Sequence, residues 1–173
     1  MSIIDNLCQI EYNDIGNHHL VIEQAFSKGD LYMIYTENTK KAMNIAYSAH
    51  NNQKDKSGVP YVFHPFHLAE QMETEEECIV ALLHDVVEDT TITIDYLSQI
   101  FSEDIIQAIK LLTHDDSTPY MDYIRKLKSN PLAKKVKLAD LEHNSDITRL
   151  EKTTEKDIKR WEKYREAKEI LLS

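Results

Sequence analysis

The sequence has few residues that interrupt regular structure, with only three glycines and four prolines in 173 residues. It also lacks any run of alternating apolar and polar residues long enough to predict a β-sheet. Apolar residues instead recur at helical spacing, weakly in residues 17–30 and more strongly further along the chain. We therefore predict an all-α fold, a compact helical bundle, whose length fits one domain over residues 1–173.

Cysteine is scarce, with two residues, and long apolar segments and excess basic charge are missing. Cys8 and Cys78 are far apart in the sequence, which disfavours a disulfide framework and favours a reducing, cytoplasmic location. No window approaches the ~20 apolar residues of a membrane span. The formal net charge of −10 argues against duplex nucleic acid as a partner, because phosphate contacts need Lys and Arg in excess. A small anionic substrate remains compatible with a local group of cations.

Prolines and apolar stripes predict where several helices begin. One helix should start near Thr39, and Pro65 should occupy the first position of another, with His64 at the junction before it. Pro131 should begin a core helix. Residues 153–172 predict a charged surface helix that packs one apolar stripe on the bundle and offers a contact face for a homo-oligomer. That stripe consists of Ile158, Trp161, Tyr164, Ala167 and Leu171.

The segment ALLHDVVEDTT, residues 81–91, places four ionisable side chains in an apolar helix. On a continuous helix His84 lies over Glu88 and Asp85 lies over Asp89, in two neighbouring columns. Burying carboxylates without a positive partner costs several kcal/mol, by order of magnitude. His84 and Asp85 can converge on one bound cation, with Glu88 and Asp89 at the edge of its coordination sphere.

Two further residues complete a candidate ligand set for that cation. His64 precedes the helix begun by Pro65, and Asp140 is an acid within the apolar pattern VKLADL. Two imidazoles and two carboxylates without a thiolate suit manganese, iron, zinc or magnesium, with positions left for water and substrate. The alternative is a purely structural ion-pair network, since such networks also retain buried charge.

Four motifs that follow one another in the chain carry a resemblance to a known family. They are AH at 49–50, SGVPYVFHP at 57–65, HDVVEDT at 84–90 and VKLADLEHN at 136–144. Over residues 37–150 the chain resembles the HD-superfamily phosphohydrolases, above all the hydrolase domain of the RelA/SpoT homologues. The resemblance implies an HD-domain fold and removal of pyrophosphate from the 3′ position of guanosine tetraphosphate and pentaphosphate.

The resemblance also implies residue roles. His64, His84, Asp85 and Asp140 would hold one manganese ion, and Glu88 with Asp89 would position and activate the attacking water. Lys56, Ser57 and Tyr61 fall in the guanosine-binding loop, and Asn144 matches a nucleotide-contacting asparagine. From the residues themselves, Lys56, Lys134, Lys137 and Arg149 are candidates to neutralise substrate phosphates, the alternative for each being an ordinary solvated lysine or arginine. The positions of His50, His67 and His143 leave their roles open.

Three positions depart from the guanosine-specific pattern. The loop usually has glycine where this chain has Asn52 and arginine where it has Asp55, and Asp146 stands where a cation is expected. The acids at positions 55 and 146 remove positive charge from the neighbourhood of a polyanionic nucleotide. Two alternatives to a guanosine tetraphosphate hydrolase therefore stay open. One is a phosphohydrolase that acts on a different nucleotide or phosphoester. The other is a non-catalytic nucleotide-binding module in which the metal has only a structural role.

The last helix bears on two further expectations. Residues after about 150 amount to a single helix, so we expect a stand-alone hydrolase without a synthetase domain. The aromatic residues of this helix, Trp161 and Tyr164, fit core packing better than a base-stacking surface.

Overall fold

The computed structural model describes residues 33–115, 117–149 and 152–173. The periodicity predicted in residues 17–30 lies outside these ranges, so the single domain over residues 1–173 stays a prediction. The helices are α1 (Glu37–Ala49), α2 (Phe63–Ala69), α3 (Glu75–Leu83), α4 (Val86–Asp89), α5 (Ile94–Ser98), α6 (Glu103–Leu112), α7 (Tyr120–Leu127), α8 (Pro131–Ser145) and α9 (Glu155–Leu172), with a 3-10 turn at Ile147–Arg149.

The predicted all-α fold is confirmed. Within the described ranges the structure contains no strand beyond an isolated antiparallel bridge between Lys54 and Pro60. None of the described helices combines the length and the apolar character needed to cross a membrane.

Helix α3 forms the centre of the bundle and positions the segment that follows it. Its last six residues, Cys78, Ile79, Val80, Ala81, Leu82 and Leu83, are all buried. It packs against α1, α2, α6 and α8. Burial contributes roughly 1.5–3 kcal/mol for each large aliphatic side chain, so the end of α3 is fixed firmly in the core. His84 and Asp85 come directly after that end.

The predicted continuous helix through the His84–Asp85 pair is wrong. Helix α3 ends at Leu83 and α4 begins at Val86, so the pair lies in a turn between two helices. Asp85 has φ −104° and ψ −3°, away from ideal helical values. The His84 ring also bonds locally, with Nδ1 2.8 Å from the carbonyl oxygen of Ala81. The continuous helix is therefore interrupted at this pair, and the turn sets the direction of both side chains.

The predicted position of Pro65 is also wrong by two residues. Helix α2 begins at Phe63, which places Pro65 third in the helix and His64 inside the first turn. A proline is tolerated there because the first four N–H groups of a helix have no intrahelical acceptor. His64 is consequently held by the helix itself and is buried in the bundle.

Two other predicted helix starts agree more closely with the structure. Pro131 is the first residue of α8, as predicted, and the preceding Asn130 accepts a hydrogen bond from the Ala133 N–H at 2.9 Å. Helix α1 begins two residues before Thr39, because Thr36 caps it by accepting a hydrogen bond from the Thr39 N–H at 3.1 Å.

Helix α9 packs against α8 and α7, but only part of its apolar stripe is buried. Ala167 and Leu171 are fully buried, whereas Ile158 is 51% exposed and Trp161 is 39% exposed. The expectation that the whole stripe packs on the bundle is therefore wrong for its first half. Trp161 borders the cleft described below.

A buried histidine and aspartate cluster beneath a cleft

Three of the four candidate metal ligands lie together in the bundle. His64 from α2, His84 from the turn after α3, and Asp140 from α8 are all buried, and one ligand atom from each lies within 4.8 Å of the other two. His64 Nε2 is 3.1 Å from Asp140 Oδ1, and His84 Nε2 is 3.9 Å from the same oxygen. With metal–ligand bonds of about 2.1 Å, adjacent ligand atoms around one ion lie roughly 3 Å apart, so the spacing fits a single divalent cation.

Hydrogen bonds fix the orientation of both rings in this cluster. His84 Nδ1 contacts the Ala81 carbonyl at 2.8 Å, which requires Nδ1 to carry the proton and turns Nε2 toward the cluster. His64 Nδ1 lies 2.8 Å from His143 Nδ1, an interaction that sequence reasoning left open. A ring nitrogen held in this way orients the opposite nitrogen as a ligand.

The two Nε2 atoms have no hydrogen-bond partner of their own. Both are buried, and neither forms a hydrogen bond despite the nearby carboxylate oxygens. A buried polar group without a partner costs free energy, by about 1–3 kcal/mol. The carboxylates approach the nitrogens without lying in the direction of a hydrogen bond, as expected for groups that face a shared point. The residues present therefore fit a divalent cation.

Asp85, the fourth candidate ligand, joins the cluster at its edge. Its Oδ2 atom lies 2.9 Å from His84 Nε2 and also accepts a hydrogen bond from the Tyr61 hydroxyl. The Asp85 side chain is 22% exposed, whereas those of His64, His84 and Asp140 are nearly inaccessible. Asp85 thus lies between the buried cluster and the cleft.

Asp140 is held by contacts from its own helix. Lys137 Nζ lies 2.9 Å from Asp140 Oδ2, and Asn144 Nδ2 donates to Asp140 Oδ1 at 2.5 Å. Both residues were candidates for substrate contacts. Their polar groups contact the aspartate in this structure, and a role toward substrate stays a prediction. Residues 137, 140 and 144 lie about one turn apart on one face of α8, which explains how a single helix supplies all three.

The charges of the cluster are strongly coupled. Burial disfavours the imidazolium of His84, but the Asp85 and Asp140 carboxylates outweigh it and raise the pKa of His84 to about 9. Burial opposes ionisation of Asp85, but His84 lowers the pKa of that carboxyl to about 2. Lys137 likewise overcomes the effect of burial and lowers the pKa of Asp140. Without a cation, a proton on His84 compensates the buried negative charge, and a bound cation would replace it.

Two exposed carboxylates lie one turn beyond the His84–Asp85 pair. Glu88 accepts a hydrogen bond from the backbone N–H of His114 at 2.8 Å, which anchors its side chain. The backbone carbonyl of Asp89 accepts from Gln53 Nε2 at 3.0 Å. Partial burial and the charge of Asp85 raise the pKa of both acids. His114, which its spacing in the sequence did not implicate, therefore supports Glu88 through its main chain.

A cleft of about 470 Å³ opens beside this cluster, a size within the range of small-molecule sites. Most of the predicted catalytic and substrate residues line it, namely Lys56, Ser57, Tyr61, Glu88, Asp89 and Asn144. Lys137 is not among its lining residues, and the Arg149 side chain lies outside the described part of the chain. Tyr61 and Asn144 connect the cleft wall to the buried cluster through their bonds to Asp85 and Asp140.

Helix α9 contributes a wall of the cleft that sequence reasoning missed. Arg160, Trp161 and Tyr164 line it, together with Asp157 from the first turn of the helix. The only sequence signal was a basic residue next to the tryptophan of the apolar stripe. That pattern does not distinguish a cleft wall from a helix packed on the core.

The loop between α1 and α2 forms another part of the cleft lining and is fixed by Asp55. Its Oδ1 atom accepts hydrogen bonds from the Ser57 N–H at 2.9 Å, the Ser57 hydroxyl at 2.7 Å and the Val59 N–H at 3.0 Å. Asn52 and Gly58 adopt positive φ values of 68° and 84°, which turn the loop tightly. The acid at position 55 thus stabilises its own loop.

No protein-family model matches the chain. The guanosine-3′,5′-bis(diphosphate) 3′-pyrophosphohydrolase MESH1 of Danio rerio is 34% identical over 117 residues, covering 60% of this chain and 65% of that protein. The bifunctional (p)ppGpp synthase/hydrolase SpoT of Escherichia coli strain K12 is 33% identical over 87 residues, covering 48% of this chain and 12% of SpoT.

The chain is homologous to these hydrolases. It spans slightly less than two thirds of the Danio rerio relative and about an eighth of SpoT. A solved structure described as a metazoan ortholog of SpoT that hydrolyses ppGpp has the same fold, with a TM-score of 0.64 at 24% identity, covering 81% of this chain and 88% of that chain. The resemblance found in the motifs is confirmed, and the HD-type helical fold with it.

Proposed function

We propose that this protein is a metal-dependent pyrophosphohydrolase that removes pyrophosphate from the 3′ position of guanosine 3′,5′-bis(diphosphate). One observation carries the proposal. The unbonded Nε2 atoms of His64 and His84 face Asp140 in a buried cluster, directly beside a cleft lined by Glu88 and Asp89. The names of the homologous hydrolases support the choice of substrate.

We assign His64, His84, Asp85 and Asp140 as the residues that hold the cation. Manganese is the first choice, with iron, zinc and magnesium as alternatives, because an oxygen and imidazole set without thiolate accepts all four. When bound, a divalent ion supplies Lewis acidity, which lowers the pKa of water and polarises a phosphoryl oxygen. Tyr61, Lys137 and Asn144 hold Asp85 and Asp140 in place through the contacts described above.

Glu88 acts as the general base in this proposal. Its carboxylate takes a proton from the attacking water, whose oxygen bonds to the phosphorus attached to the ribose 3′ oxygen. The bond between that phosphorus and the 3′ oxygen breaks, and the 3′ oxygen gains a proton to leave a hydroxyl group. The products are guanosine 5′-diphosphate and pyrophosphate. The raised pKa of Glu88 makes it a stronger base than an ordinary glutamate, and Asp89 helps to orient the water.

Cations on two sides of the cleft neutralise the substrate phosphates. Lys56 reaches the cleft from the loop and Arg160 from α9. Burial and the positive charge of Arg160 lower the pKa of Lys56, as expected for cations gathered in one small region. Ser57 lies beside Lys56 and supplies a hydroxyl group.

The acids of the cleft favour one alternative, a phosphohydrolase acting on a different nucleotide or phosphoester. Asp55, Asp146 and Asp157 all line the cleft. They reduce its attraction for a substrate with two diphosphate groups. A less charged nucleotide would meet less repulsion from the same three residues.

A substrate panel with the full-length protein tests the proposal. Protein freed of metal by chelation and then supplied with Mn²⁺ is incubated with guanosine tetraphosphate, guanosine pentaphosphate, and several nucleotides that carry fewer phosphates. We expect equal release of guanosine 5′-diphosphate and pyrophosphate from the tetraphosphate, and none while the chelator remains. Turnover of another nucleotide without turnover of the guanosine compounds would establish the alternative.

We also propose a cytoplasmic location and leave a homo-oligomer through α9 as a prediction.

A further inference from the structure

Trp161 occupies an unusual position for a large aromatic side chain. It is 39% exposed and lines the cleft, and Ile147, which is 45% exposed, lines the same wall. Of the three aromatic rings in the cleft lining, Tyr61 and Tyr164 are only partly exposed, so Trp161 offers the largest open surface. The lining of the cleft therefore includes an apolar aromatic surface as well as its charged loop.

The indole is held by an arginine that does not line the cleft. The Arg165 guanidinium carbon lies 5.3 Å from the centre of the Trp161 ring, within the range of a cation–π contact. Arg165 and Trp161 both line a second cavity of about 400 Å³, whereas Arg165 does not line the cleft. The arginine thus contacts the indole without lining the cleft, and 39% of the Trp161 surface remains exposed.

The loop between α1 and α2, which also lines the cleft, does not offer a comparable surface. The Asp55 carboxylate accepts three hydrogen bonds within its own loop. The Tyr61 ring packs between His50 and His64, with centroid distances of 4.9 and 5.5 Å. Neither side chain presents a flat open face to the cleft. A nucleotide whose phosphates lie near Lys56 and Arg160 would bring its base within reach of Trp161.

We propose that the purine base of the substrate stacks on the indole of Trp161, which makes this residue the main determinant of base affinity. The inference rests on the proposed function, because it requires a nucleotide in the cleft. Stacking of a base on an aromatic side chain contributes enough to change affinity roughly tenfold or more.

Fluorescence tests this directly, because Trp161 is the only tryptophan of the chain. Guanosine 5′-diphosphate and inorganic pyrophosphate are titrated into the full-length protein with Mg²⁺, under selective excitation of the indole, while calorimetry measures binding independently. We expect a saturable change of emission with the nucleotide and none with pyrophosphate. Calorimetric binding of the nucleotide without a change of emission, or no binding at all, overturns the inference.

Variants provide the second test. Trp161→Ala should raise KM for guanosine tetraphosphate roughly tenfold while kcat is unchanged, and Trp161→Phe should restore most of the affinity. Ile158→Ala is the matched control, because Ile158 is 51% exposed on the same helix and does not line the cleft. Equal KM values for Trp161→Ala and Ile158→Ala overturn the inference. If the nucleotide changes the Trp161 emission but is not hydrolysed, the proposed function is rejected and the stacking is not. If the protein hydrolyses guanosine tetraphosphate but the nucleotide leaves the Trp161 emission unchanged, the stacking is rejected and the proposed function is not.

Discussion

The hydroxyl group of Tyr61 donates a hydrogen bond to Oδ2 of Asp85 and so links the cleft loop to the turn after α3. The same carboxylate oxygen lies 2.9 Å from His84 Nε2. Burial and the negative charge of Asp85 raise the pKa of Tyr61 strongly, so the phenol remains protonated and remains a donor. Tyr61 is therefore a positioning residue for Asp85 as well as part of the cleft wall.

Tyr61→Phe removes this donor while keeping the ring. We expect Mn²⁺ affinity to fall about 10–100-fold, because residues that orient a metal ligand contribute on that scale. Calorimetric titration of the metal-free protein measures the change. Tyr120→Phe is the matched control, since the buried Tyr120 hydroxyl has no hydrogen-bond partner and its loss should leave Mn²⁺ affinity unchanged. Equal affinity of Tyr61→Phe and the wild-type protein would show that Asp85 is oriented without the phenol.

Lys137→Met removes the cation beside Asp140. Because the Lys137 and Asp140 side chains are only 13% and 6% exposed, this leaves a buried carboxylate without its partner. We expect the free energy of unfolding in chelator to fall by about 3 kcal/mol, and by less with Mn²⁺ present. Urea denaturation under the two conditions measures this.

Lys135→Met serves as the control for that experiment. Lys135 is more exposed, at 37%, and pairs with Glu73 and Glu77 near the surface. Its loss should cost about 1 kcal/mol or less, with or without metal. If Lys137→Met were no more destabilising than Lys135→Met, the buried pair would not stabilise the fold.

Metal affinity should depend on pH through His84. Its pKa is raised to about 9, so without metal the ring is protonated below that pH, and cation binding must displace the proton. Mn²⁺ affinity should therefore rise about tenfold per pH unit and level off near pH 9. Calorimetry in buffers of different ionisation enthalpy counts the released proton. An affinity that does not change with pH contradicts a protonated His84.

The stability of the metal-free protein should follow the opposite trend. A raised folded-state pKa means that the charged His84 stabilises the fold fully below its ordinary pKa of 6.5, and that this contribution is lost as pH rises through about 9. Urea denaturation in chelator across this range measures the effect. Added Mn²⁺ should remove it, because the cation then takes the place of the proton.

Glu88→Gln keeps the size of the side chain and removes its basic group. We expect turnover to fall by about 10²–10⁴-fold while Mn²⁺ affinity changes little, because Glu88 lies outside the buried cluster. Glu142→Gln is the control, because Glu142 is an exposed acid that pairs with Lys168 and does not line the cleft. Unchanged turnover of Glu88→Gln would remove this residue from the mechanism. A wild-type protein that binds nucleotide without turnover would favour the non-catalytic binding module.

The helical class and the candidate ligands were accessible from the sequence because both depend on local patterns. Apolar spacing identifies a helix wherever one face is buried, and Pro131 marks a helix start through its own backbone geometry. An adjacent histidine and aspartate in an apolar segment signals buried charge that needs a partner. His64 and Asp140 stood out for the same reason, as polar residues in otherwise buried surroundings.

The direction of each side chain was decided only by the tertiary structure. The turn at His84 and Asp85 depends on the packing of α3 against four other helices, and it interrupts the continuous helix expected through this pair. The exposure of Trp161 depends on which part of α9 packs against the bundle. The apolar periodicity of a single helix does not specify that part. A sequence pattern records which residues avoid water, whereas their partners depend on contacts between segments far apart in the chain.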